Sequence, residues 1–316
     1  MTQAVEMEEA LTREPTADAA AADRTERLAP KVLGGIAVLT GVAVWAYAST
    51  LAELVATWDS VPDYSHGYLV VPVALFFLWA RRASYPGFSS GLAWPGLALI
   101  GLSFVMRWVA ARYWLEQIDG WSILVWIAGV VWLFGGFRLL WWSLPSIGFL
   151  WFMIPWPYRV EHALSLPLQR LATNLSCWTL QILGQPALAE GNTLLLGEHQ
   201  LEVEQACSGL RIFVGIIALA FVYVVLARRS WWENVLILLS VVPVALVANL
   251  TRIVVTGLLY QHVSGEAARR FSHDVSGWLM IPLAAGLFAL FLWYLDRLLP
   301  EVEAVDLRTV ARKMRS

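Results

Sequence analysis

The sequence predicts an all-α polytopic membrane protein: about eight transmembrane helices, one interfacial amphipathic helix and a short extracytoplasmic β-hairpin. Three observations predict it. Long apolar stretches recur along the chain and lift its mean hydropathy to +0.62, and about 20 mainly apolar residues suffice to cross a bilayer as a helix. Charged residues make up only 15%, well below the roughly 25% of a soluble domain. Tryptophan occurs eighteen times, and its ring favours the border between membrane and water. The net charge of −2 gives no reason to expect a nucleic-acid partner. Two cysteines, Cys177 and Cys207, are enough for one bridge at most and for no disulfide framework.

In order along the chain, residues 1–30 are polar, alanine-rich and acidic and read as a disordered cytoplasmic tail. The transmembrane domain occupies 31–298. Its expected spans lie near 32–52, 68–80, 92–111, 121–137, 138–156, 208–227, 234–259 and 276–296. The apolar run 121–156 is too long for one crossing at about 1.5 Å per residue. Gly135-Gly136 and Arg138 offer the turn that divides it. Residues 299–316 form a basic C-terminal tail. The 157–206 segment carries its own structure. Leu164, Leu168, Leu171, Leu175, Trp178 and Ile182 recur at helical spacing as one apolar stripe, with Pro167 as an early kink. NTLLLGEHQLEVEQ then reads as a hairpin turning at Gly197-Glu198 and leading directly to Cys207.

Loop charges orient the spans. With the N-terminus inside, fourteen basic residues fall on the inner side, among them Arg81, Arg82, Arg138, Arg228 and Arg229; six fall outside. Both termini are therefore expected in the cytoplasm. Arg211 and Arg252 belong to neither group, because both lie within spans.

Four residues distant in sequence come to similar depth at the outer face. Cys207 opens the sixth span, where unpaired helix N–H groups and the dipole favour a thiolate, and Arg211 follows at i+4. It is read either as a nucleophile or as a small packing residue. Its neighbour Ser208 is either a nucleophile or a small residue that lets a helix or substrate approach. Arg252, in VANLTRIVV, is a charge inside a span, which suggests function by its cost. Its guanidinium stays protonated and suits a developing oxyanion; a structural ion pair is the alternative. Asn249 shares its face. Arg211 competes for the same role, with a packing counterion as its plainer reading. His273, in RRFSHD, starts the last span and suits a general acid or base, or is an ordinary loop histidine. His66, in DYSHGY, belongs either to a capped helix start or to a substrate-positioning loop. Five histidines without paired spacing give little support for a metal site, and no cofactor is expected.

The runs EQACSGLRI, NLTRI and FSHD, with YSHGYLVVP near the start, resemble the exosortase/archaeosortase family of membrane transpeptidases over roughly residues 58–296. The resemblance implies Cys207 as nucleophile, Arg252 as oxyanion stabiliser and His273 as general acid/base. His66, Ser208, Arg211 and Asn249 would bind substrate or support. It also implies the substrates: secreted proteins ending in a short motif, a membrane helix and a basic tail, in cells that often make exopolysaccharide. The tag would be cleaved through a thioester and the protein passed to an amine or lipid-linked acceptor. The site would face outward from a bacterial cytoplasmic membrane, among membrane lipids. A non-enzymatic transporter or scaffold for exopolysaccharide export, with Arg211 and Arg252 binding an anionic chain, is the alternative.

Overall fold

The computed structural model describes residues 33–89, 91–197, 199–203, 209–227, 229–263, 266, 271 and 276–299, the side chains of 209–212 and 276–278 excepted. The terminal tails expected at 1–30 and 299–316 lie outside these residues, Leu299 apart. The chain divides into two compact units at Trp156/Pro157.

The first unit contains α1 (Leu33–Ala46), α2 (Ala48–Ser60), α3 (Gly67–Ala80), α4 (Pro95–Tyr113) and α5 (Glu116–Phe149). α1 and α2 meet at Tyr47 with a bend of 62°. The span expected over 32–52 therefore stops short of what is built. Polar contacts with the two neighbouring helices hold the bend. Tyr47 and Ser122 share a hydroxyl–hydroxyl bond of 2.9 Å, Thr50 donates to Asp119, and the Arg107 guanidinium lies 3.4 Å from Asp119 and 4.5 Å over the Tyr47 ring.

α5 is continuous in hydrogen bonding but not in direction. Gly136 sits at φ 68°, ψ −177°, a backbone region open in practice only to glycine. A straight helix would hold Gly120 and Ile154 about 50 Å apart. Instead a Cβ on Gly120 would lie 2.8 Å from Ile154, and the Trp121 and Trp151 rings stack at 4.7 Å. The chain thus reverses at Gly136 and its two legs run side by side, as the Gly135-Gly136 pair predicts. Gly136→Val should lower thermal stability in detergent by about 1–3 kcal/mol; an unchanged melting temperature would contradict the strain.

The second unit begins with α6 (Tyr158–Ile182) and a three-stranded antiparallel sheet, β1 (Ala187–Glu190), β2 (Thr193–Leu196) and β3 (His199–Glu202). The expected hairpin is β2–β3, with Leu194 opposite Leu201. β1 was not expected; it joins through Gly191, another positive-φ turn. Three long helices follow: α7 (Gly209–Leu226), α8 (Trp231–His262) and α9 (Ser276–Leu298). α7, α8 and α9 bury Ile216, Ala220, Ile237, Val241, Ala248, Ala284 and Phe288 against one another. The sheet buries Leu194, Leu196, Leu201 and Val203 against α6 and the C-terminal half of α8.

α6 continues through Pro167. Its core-facing side is the small, mixed one, with Ala172, Thr173, Ser176, Cys177 and Leu180 all buried. The apolar stripe faces away: Leu164, Leu171, Trp178 and Ile182 are exposed. That is the disposition of a helix whose oily side meets lipid.

Every stretch read as a span is helical. Among the described residues four helices are long and apolar enough to cross a membrane, or five with the bent α1–α2 pair taken as one. The expected eight crossings exceed this count for three reasons. Of α7, only Phe213–Leu226 enters the count, as a shorter apolar helix. α3 has 14 residues, about 21 Å against a hydrocarbon core of about 30 Å. The two legs of α5, with the turn to Met153, enter the count as one 38-residue span.

Candidate functional site

The DYSHGY segment is built first by packing. Trp58 on α2 donates its indole N–H to the Met153 carbonyl at 2.9 Å. Its ring then covers the start of α3, where a Cβ on residue 67 would lie 2.3 Å from the indole. Only glycine fits there. Tyr68 donates to Asp59 at 2.8 Å and packs edge-on to Trp58 at 5.1 Å. Tyr64 is buried, and its hydroxyl accepts from the Trp156 backbone N–H at 3.3 Å.

His66 sits in the middle of this arrangement. Nδ1 is 3.0 Å from the Asp63 carbonyl and Nε2 is 3.0 Å from the Phe152 carbonyl. Carbonyl oxygens only accept, so a neutral ring satisfies one of them and a doubly protonated ring satisfies both. The histidine thereby ties the α2–α3 turn to the end of α5. Both of its nitrogens lie within hydrogen-bond distance of backbone carbonyls of the first unit. His66→Ala should lower thermal stability by about 1–3 kcal/mol, and His66→Gln, which keeps N–H donors, should recover part of it. Equal loss in both variants would count against the clasp.

The other expected site residues belong to the second unit. α8 extends to His262, so Arg252 lies ten residues from its C-terminal end, about 15 Å along the axis against about 10 Å for a span ending at 259. At 32 residues the helix is about 48 Å long, well over the hydrocarbon thickness. Its outer turns are clothed by protein. Gly257 packs on Leu180 and Leu196, Tyr260 meets the His199 ring at 5.2 Å, and Gln185 donates to His262 at 3.1 Å.

Arg252 is 4% exposed and Asn249 7%. Three residues apart, they share a helical face, as the sequence suggested. Thr256, 1% exposed, extends that face by one turn. It was overlooked because a threonine in an apolar run reads as a β-branched filler. Cys177 is a free, buried thiol that accepts a long hydrogen bond from Gln181 at 3.5 Å. It packs with Ile253 and Val254 of α8 and the leucines of the sheet.

Cys207, Ser208 and His273 lie outside the described residues, and for Arg211 only the backbone in α7 is described. What flanks them is clear. The buried Val203 is pinned by its N–H to the Asn192 carbonyl at 3.0 Å, and Asn192 donates to Gln169 of α6 at 2.9 Å. The chain is described again at Gly209, the first residue of α7 and two beyond Cys207. α9 starts at Ser276, three residues after His273.

Among the described residues no group of three or more His, Cys, Asp or Glu could hold a metal ion. His162 stacks on Tyr158 at 5.3 Å, which with the contacts above gives each remaining outer histidine a local partner.

The family model described as transmembrane exosortase matches residues 58–292 of the 316-residue chain. No curated protein and no solved structure matches it.

Proposed function

Because the chain belongs to the transmembrane exosortase family, we propose that it is a cysteine transpeptidase or protease that removes a C-terminal sorting tag from secreted proteins. The tag is a short motif, a membrane helix and a basic tail. The helix docks in the bilayer and brings the motif to the outer end of the second unit. In this reading the chain crosses eight times, with both termini in the cytoplasm by the loop-charge bias and the site on the extracytoplasmic side.

The chemistry follows from three groups. His273 takes the proton of the Cys207 thiol, and the thiolate sulfur attacks the scissile carbonyl carbon. Arg252 stabilises the negative charge that moves onto the carbonyl oxygen. The C–N bond then breaks, the leaving amine receives the proton from His273, and the secreted protein remains as a thioester on Cys207. An acceptor nucleophile resolves the thioester and regenerates the thiol. An amine or lipid-linked acceptor makes the enzyme a transpeptidase; water makes it a protease.

Arg252 carries this reading. A guanidinium inside a membrane helix is costly, about 2.5–3.5 kcal/mol at the centre on insertion scales, and Arg252 is held at 4% exposure with Asn249 on the same face. Such a charge supports a role beyond anchoring. The sequence position of Cys207, two residues before α7, adds to it, since helix N-termini favour a thiolate.

The test is removal of the gene in the cell that carries it. C-terminal peptides of secreted tag-bearing proteins are then measured by mass spectrometry. Tags should persist in the deletion strain and be lost on complementation with the wild-type chain. Equal tag loss in both strains would discard the reading and bring the transporter or scaffold role forward.

A further inference from the structure

Two hydroxyls of the second unit, those of Thr256 and Ser176, are fully buried and have no hydrogen-bond partner among the described residues. Buried polar groups are almost always paired, so each exception calls for a reason. A helical threonine ordinarily bonds the carbonyl four residues back, as Thr251 does with Val247 at 2.8 Å on this same helix. Thr256 does not. Of the two, only Thr256 stands on the face that carries Arg252 and Asn249, at i+4 and i+7.

We propose that Thr256 is a further substrate-binding residue of this enzyme, whose hydroxyl donates a hydrogen bond to the scissile carbonyl oxygen as it becomes an oxyanion. The inference rests on the function proposed above. Asn249, Arg252 and Thr256 form one polar line running outward through two turns of α8, with Thr256 nearest the extracytoplasmic end. Packing does not need the hydroxyl. Ile253 and Val254 enter the core beside it, and Gly257 lets Leu180 and Leu196 close against the helix. Valine would fill the same volume without leaving a donor unfilled. Among the described residues nothing accepts from this donor, and the scissile carbonyl is the acceptor assigned to it. A short hydroxyl on a β-branched side chain has few rotamers in a helix, which is what a preorganised donor requires. Arg252 supplies charge and Thr256 direction.

The experiment uses the deletion strain complemented with full-length variants. Pulse–chase follows the rate of tag loss from one endogenous tag-bearing protein, and melting temperature is read on the purified chains. Thr256→Val should slow tag loss about 10- to 100-fold, the lower range for loss of one oxyanion donor. Its melting temperature should be unchanged or higher. Thr256→Ser, which keeps the hydroxyl, should stay within about threefold of wild type, while Thr256→Ala slows as valine does. Where valine fails to accumulate, the serine-to-alanine ratio decides. Normal rates in Thr256→Val, or equal rates in serine and alanine, overturn the inference. Cys207→Ala run in parallel separates the two ideas. If it processes normally, the cysteine mechanism falls; if it is inactive while Thr256→Val is normal, only the role of Thr256 falls.

Discussion

Cys207→Ala should abolish tag loss, and Cys177→Ala should leave it intact. The two thiols differ in surroundings rather than in chemistry. Cys177 is buried among the leucines of the sheet and the C-terminal half of α8. Cys207 precedes α7 by two residues in sequence. Loss of the nucleophile removes the covalent step altogether, so processing should fall below detection. Cys177→Ala only shortens a small buried side chain. Its expected cost is in stability, about 1 kcal/mol, as for a typical point substitution. An immunoblot of a tag-bearing reporter in complemented cells reads both variants at once. Normal processing by Cys207→Ala would remove it as nucleophile and bring Ser208 forward. Loss of processing in Cys177→Ala at normal protein level would give that thiol a role the fold does not suggest.

Arg252→Met should cost processing. Arg252 stands on the face of α8 that it shares with Asn249 and Thr256, while Ile253 and Val254 enter the apolar cluster with the sheet. The methionine variant's melting temperature in detergent separates loss of activity from loss of fold. Its processing rate should fall by at least about 100-fold, as when an oxyanion donor is lost. Arg252→Lys keeps the charge but not the planar fork of donors, and is expected to recover little. Normal activity in Arg252→Met would make the residue an anchor. A collapse in stability would make it a structural ion partner. Either result would remove the support on which the proposed mechanism chiefly stands.

How much of this was legible in the sequence differs from element to element. The apolar runs located every long helix, because burial in lipid or core demands composition before it demands geometry. The reversal in α5 was legible because only a glycine admits the backbone of Gly136. The β2–β3 hairpin was legible from alternation and a Gly-Glu turn. β1 was not, because ALAE is too short to show a period and becomes a strand only through its partner. The bend at Tyr47 was hidden for a related reason. It depends on Ser122, Arg107 and Asp119, which come from helices far along the chain.

The candidate site divides in the same way. Arg252 and Asn249 stood out because charge and amide are costly in an apolar run, and their spacing put them on one face. Thr256 did not stand out, since only its burial without a partner distinguishes it from packing. His66 stood out as a histidine in a motif, but its clasp between two carbonyls required the end of α5 to arrive beside it. The sequence by itself determined which segments are helical, where the long hairpin turns, and which charges lie within apolar helices, since these follow from composition and local backbone limits. Only the tertiary structure decided which face of α6 is buried, how deep Arg252 lies and which polar groups are already satisfied, because each depends on surfaces brought together from distant parts of the chain.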